Sequence, residues 1–143
     1  MAATAAKSGF GTLLKVGDGG GPEAFTTVAE IVDVSPGDQT LETDDATNME
    51  SPGGYRERIA TLLDAGPVNM SLNFIEGDTT HAGLRTDMNA KTLRNFEILT
   101  PGAAYKWSFS AFVTNIGDTT PMGGKMVTAV TLTPSGQKTF AVV

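Results

Sequence analysis

Histidine occurs once in this sequence, as His81, so any Ser-His-Asp relay would have to be built around Asp78-Thr79-Thr80-His81. Such a relay needs a nucleophile on a sharp turn and an acid that orients the imidazole, and neither is spelled in that neighbourhood. A histidine in the first turn of a helix is the better reading. Residues 17–22 (GDGGGP) are glycine-rich, yet they lack the Lys-Ser/Thr of a phosphate loop and precede a strand, so they read as a hairpin turn. Glu42, Asp44 and Asp45 with Asn48 offer oxygen ligands of the kind Ca²⁺ takes. Their spacing lacks the sixth-position glycine of an EF-hand loop. Paired acids also serve glycoside hydrolysis, but there they are fixed across a sugar cleft rather than placed on a turn-rich segment. Trp107 and its aromatic neighbours could stack on a carbohydrate, although their alternation fits core packing better. With no cysteine, disulfides and thiolate metal sites are excluded. The expectation is no catalytic residue, no metal and no cofactor.

The elements that would carry these residues follow from composition. A length of 143 residues suits a single domain over 1–143, with 40% hydrophobic and only 18% charged residues. Threonine, glycine and valine fill the charge deficit, which favours strands and turns over a helix bundle. Sixteen acids against ten Lys plus Arg give a net charge of −6 and a pI near 4.6, so affinity for nucleic acid through phosphate neutralisation is disfavoured. Nine of the 16 acids fall in residues 18–50, which contain no Lys or Arg. The first eight residues, MAATAAKS, lack the apolar core of a signal peptide, and no run approaches the roughly 20 apolar residues of a membrane helix. A soluble species is expected.

Along the chain, a flexible N-terminal arm over residues 1–10 leads to a short strand at 11–16. A second strand at 25–34 makes a loose hairpin with it. Residues 35–54 show no period over most of their length and are bounded by Pro-Gly pairs. They read as a long inter-strand loop, of the kind that is usually functional or disordered. Residues 56–63 and 68–75 are expected to pair as a hairpin across Asp64-Ala65-Gly66-Pro67. In the second of these, Val68, Met70, Leu72 and Phe74 alternate with polar residues. Residues 79–92 are the one good helix candidate, with Asp78 or Thr79 as N-cap and Leu84 and Met88 on one face. Strands follow at 94–99, 105–114, 125–133 and 138–143. In the strand 105–114, Tyr105, Trp107, Phe109, Ala111 and Val113 share a face, and 125–133 has a small, uncharged second face. The sum is about eight strands and one helix, mainly β: an antiparallel β-sandwich or barrel with one flanking α-helix.

This order of parts resembles the major tail tube protein of long-tailed, non-contractile bacteriophages. The likeness is carried by GTLLKV, IVDVSPGDQTLETDD, DTTHAGLRTDMNAKT, YKWSFSAFVTNIGD and MVTAVTLTPSG. Val34-Ser35-Pro36-Gly37-Asp38 and Phe112-Val113-Thr114-Asn115-Ile116-Gly117 are nearest to the family's wording. The resemblance implies the tail tube fold, shared with the tube protein of type VI secretion systems, in a virion tail assembled in the host cytoplasm. It implies a homo-oligomer of hexameric rings stacked into a tube, with tape measure, tail tip and tail terminator proteins as partners. DNA passes without specific binding, and no membrane is involved. It also makes the long loop a subunit contact, with Asp38, Leu41, Glu42, Asp44, Asp45, Asn48, Met49, Glu50 and Tyr55 as candidate residues. The alternatives are a tube subunit of a gene-transfer particle or a type VI-like secretion apparatus, or a monomeric carbohydrate-binding β-sandwich.

Overall fold

The computed structural model describes residues 3–143; Met1 and Ala2, where the expected arm begins, lie outside the described residues. Ten strands and one α-helix follow: β1 Leu13–Gly17, β2 Phe25–Thr27, β3 Ile31–Ser35, β4 Thr40–Asp45, β5 Arg58–Asp64, β6 Val68–Asn73, α1 Thr79–Ala90, β7 Arg94–Leu99, β8 Tyr105–Thr119, β9 Val127–Pro134 and β10 Thr139–Val142. The main sheet is antiparallel in the order β2-β1-β7-β8-β9-β6-β3, with β10 continuing the line of β9 along β8.

The two ends of that order are one piece of chain. Residues 25–34, expected as a single strand, break at Val28–Glu30, where Glu30 takes a left-handed conformation (φ 51°). Before the break Val28 N–H donates to Leu14 on β1 (2.9 Å), and after it Asn73 N–H on β6 donates to the Glu30 carbonyl (3.1 Å). A bent segment thus belongs to β1 on one side and to β6 on the other, which closes the sheet into a barrel and leaves few open edges.

Alternation decides what fills the barrel. On β6, Val68, Met70 and Leu72 point inward, on β8 Phe109, Ala111 and Val113, and on β9 Thr128, Val130 and Leu132. With Leu14, Val28, Leu84, Phe96 and Ile98 they form one core, in which the Phe96 and Phe109 rings stack at 5.9 Å. Each large side chain so buried contributes on the order of 1.5–3 kcal/mol by leaving water.

Helix α1 begins where the sequence places it. The Asp78 carboxylate accepts from the N–H groups of Thr80 (2.9 Å) and His81 (3.2 Å), and Lys91 ends the helix in the left-handed region. Its buried face is His81, Leu84 and Asp87, whereas Met88, expected beside Leu84, is exposed. Polar side chains flank Leu84 because they fasten the helix. His81 Nε2 meets the Ala29 carbonyl (2.7 Å) at the bend, Asp87 pairs with Arg94 (3.1 Å), and Arg85 pairs with Asp118 (2.7 Å).

Two further expectations differ from the structure. The segment 35–54 is not an irregular loop, because β4 lies inside it and a short 3₁₀ turn spans Pro52–Gly54. Nor do residues 56–63 pair with β6. Strand β5 pairs with β4 as a separate two-stranded ribbon, while β6 lies between β3 and β9. The turn between β5 and β6 splays them, since Gly66 (φ 75°) carries the chain away from the ribbon and into the barrel wall.

Candidate assembly surface

The β4–β5 ribbon stands uncovered by the rest of the fold. Every residue of both strands is exposed, and the two strands contact each other and hardly anything else. Pairing runs Thr40↔Asp64, Leu41↔Leu63, Thr43↔Ala60, Asp44↔Ile59 and Asp45↔Arg58, with a bulge on β5 opposite Glu42. Leu41 is 54% exposed, Ile59 54%, Leu62 70% and Leu63 66%. Leu41 and Leu63 face each other across the ribbon, and Ile59 opposes Asp44, the neighbour of Asp45 on the opposite face, so large apolar side chains stand on both faces. An isolated two-stranded ribbon has no core of its own and is marginal in water.

The tip is nonetheless ordered by its own polar groups. Asn48 N–H donates to Ser51 Oγ (2.9 Å), Ser51 Oγ–H donates to Glu57 Oε2 (2.9 Å), and Glu57 N–H donates to Thr47 Oγ1 (2.8 Å). Asp45 receives the Thr47 N–H (2.8 Å) and pairs with Arg56 (3.2 Å). The Thr47 hydroxyl and N–H, with help from Arg58 and Arg56, hold its carboxyl below the usual range. Asp45, in the acid-only window of the sequence, thus meets counter-charge from Arg56 and Arg58 on the segment that folds back on it.

The residues singled out from sequence fall along this ribbon. Asp38 stands at its root, Leu41, Glu42, Asp44 and Asp45 lie on β4, Asn48, Met49 and Glu50 form the tip, and Tyr55 follows the 3₁₀ turn. Met49 and Tyr55 are 103% and 79% exposed. Ile59, Leu62 and Leu63 join them on β5, whose expected pairing with β6 hides their place on the ribbon. One signal was present: Pro36-Gly37 and Gly66-Pro67 punctuate the two roots in mirror order. A Cβ on Gly37 would overlap the Pro67 carbonyl, and one on Gly66 would overlap Asp38, so both positions need glycine for the roots to cross backbone to backbone.

The chemistry-bearing candidates are otherwise occupied. His81 is committed to the helix–bend contact. Trp107 is half-buried, its ring leaning on the exposed Phe140 at 4.8 Å, and Phe140 also stacks on Tyr105 at 5.5 Å. Among the described residues no three His, Cys, Asp or Glu side chains gather as a metal site, and Asn48 serves the tip instead of joining Glu42, Asp44 and Asp45. No helix among the described residues is long and apolar enough to cross a membrane.

Residues 15–141 match the sequence model of the family described as lambda phage tail tube protein, TTP. Among solved structures the fold is similar to the tail of an empty gene transfer agent particle with C6 symmetry (TM-score 0.77, 22% identity, 95% of this chain and 99% of that one). It is also similar to the sheath-tube complex of the extracellular contractile injection system PVC (TM-score 0.74, 13% identity, 97% and 93%) and to the SPP1 tail tube (TM-score 0.67, 8% identity, 92% and 76%). No curated protein matches the sequence.

Proposed function

The chain belongs to the lambda phage tail tube protein family, and from that premise we propose that it polymerises as hexameric rings stacked into a tube, joined through the β4–β5 ribbon. The single observation that carries this reading is an ordered ribbon whose apolar residues stand exposed on both faces, which one chain has no means of burying. Copies that meet head to tail close a ring when the rotation closes, and axial contacts that never close build a filament. The contact set comprises Asp38, Leu41, Glu42, Asp44, Asp45, Asn48, Met49, Glu50 and Tyr55, extended by Ile59, Leu62 and Leu63.

The tube serves as a conduit through which DNA passes without specific binding. A surface with a net charge of −6 per subunit repels phosphate instead of releasing counterions to it. The outward face of β7, β8 and β9 suits a lining: around Phe112 stand Asn95, Ser108, Ser110, Thr114, Thr131 and Thr133, small and neutral, and the cation there, Lys106, is held by Glu97 at 3.0 Å. The role is structural rather than enzymatic, since the sole histidine is spent on holding α1. Tape measure, tail tip and tail terminator proteins are the partners of such a tube, and its place is the particle's tail, assembled in the host cytoplasm.

Electron microscopy of the purified chain, alone and with a tail initiation complex, tests this. Rings or tubes with a central channel are expected. A chain that stays monomeric at high concentration and on the initiator overturns it. The similarity to gene transfer agent and contractile injection tubes supports a second reading, the same tube in another kind of particle. A tape measure gene beside this one decides for a phage-type tail, and contractile sheath genes decide for an injection apparatus.

A further inference from the structure

Three backbone carbonyls converge on one side chain where the ribbon leaves the barrel. Lys138, immediately before β10, donates from Nζ to the carbonyls of Gly37 (3.3 Å) and Ala65 (3.1 Å), and to that of Pro36. Pro36 and Gly37 lead into β4, and Ala65 leads out of β5, so a single ammonium grips both roots of the ribbon. Its three donors match the three acceptors in number. Asp38 stands close enough to favour the charged form, while burial acts against it and pulls the amine below its ordinary range. Beside this clasp a hollow of about 440 Å³, lined by Gln39, Leu63, Asp64, Pro134, Gln137 and Lys138 itself, lies between the ribbon's base and the turn before β10, so side-chain packing there is incomplete.

We propose that Lys138 is a positioning residue that fixes the angle at which the β4–β5 ribbon projects from the barrel, presenting a preset contact surface to the next copy. This rests on the ribbon being the assembly surface. Without the clasp the crossing glycines still join the roots, but the ribbon swings about them, and each docking event must then order it.

Because the chain has no cysteine, Met49→Cys at the tip and Ala129→Cys on β9 can carry paired spin labels. The tip-to-barrel distance distribution is then read in the unassembled protein. With Lys138 intact the distribution is narrow; in Lys138→Met, and in Lys138→Gln as the second variant, its width roughly doubles while the barrel's thermal midpoint holds. The concentration needed for tube formation rises roughly tenfold through lost preorganisation. An unchanged width overturns the proposal whatever the tubes do, and so does failure of both variants to fold, which would make Lys138 a support of the barrel itself. A broadened ribbon with assembly unaltered upholds the clasp and counts against the ribbon as the assembly surface.

Discussion

The barrel and the ribbon are both antiparallel strand, yet their side chains meet opposite fates. In the barrel β1, β6, β7, β8 and β9 turn side chains into a shared core, and the closing segment, bent at Glu30, satisfies β1 and β6 at once. In the ribbon nothing is hidden, although Leu41, Ile59, Leu62 and Leu63 are as apolar as the residues of the core. The barrel therefore carries a core of its own, while the ribbon has none. Stability should depend on the first region and association on the second, and that separation can be broken experimentally.

The largest effect belongs to the core. Phe96→Ala removes a fully buried ring stacked on Phe109, and should cost about 3–5 kcal/mol in denaturant unfolding. Losing that much while the ribbon stayed ordered would show two independent units. Next, Leu62→Ser combined with Leu63→Ser should leave unfolding within about 0.5 kcal/mol of the parent. The same pair should raise the concentration needed for assembly by about tenfold or more, read by sedimentation. A large loss of stability with assembly intact would reverse the roles assigned here.

Acid should act on both regions, at the ribbon through Asp45 and in the barrel through Asp78 and Asp118. Asp118 is held low by the hydrogen bond from Arg85, and Asp78 by the Thr80 hydroxyl and the His81 N–H. A carboxylate whose folded value is depressed lends stability that is fully present above its unfolded value, 3.8 here, and is lost as pH falls through the folded value. Helical circular dichroism should thus hold down to about pH 4 and weaken below it, with Asp78→Asn removing part of that dependence. The smallest effect is expected at the ribbon tip. Arg56 is 73% exposed, so Arg56→Gln should shift unfolding by less than about 1 kcal/mol in low salt and by less still in high salt.

The same contrast explains what could be read from the sequence. Strands β6, β7 and β8 were legible because one face is buried, which imprints alternation, and α1 was legible through the Asp78 cap. Strand β4 (TLETDD) was not, because a ribbon exposed on both faces carries no such imprint. Strand β5 was seen as an element but given the wrong neighbour: residues close in sequence, joined by Asp64-Ala65-Gly66-Pro67, looked like a hairpin, and only the approach of Gly37 to Gly66 separates them. Of the candidate site, the residues from Asp38 to Tyr55 were named through the family resemblance. Ile59, Leu62 and Leu63 followed the misassigned strand, and Lys138 was hidden because its acceptors are backbone carbonyls about 70 to 100 residues away, which no local pattern encodes.

The most direct test replaces residues 41–63 with a short Gly-Ser link and images the product by electron microscopy beside the intact chain. The barrel should keep its thermal transition and its far-ultraviolet spectrum, and the field should contain single particles with no rings or tubes. Tubes of normal diameter and length from the shortened chain would contradict the claim that the β4–β5 ribbon joins the copies.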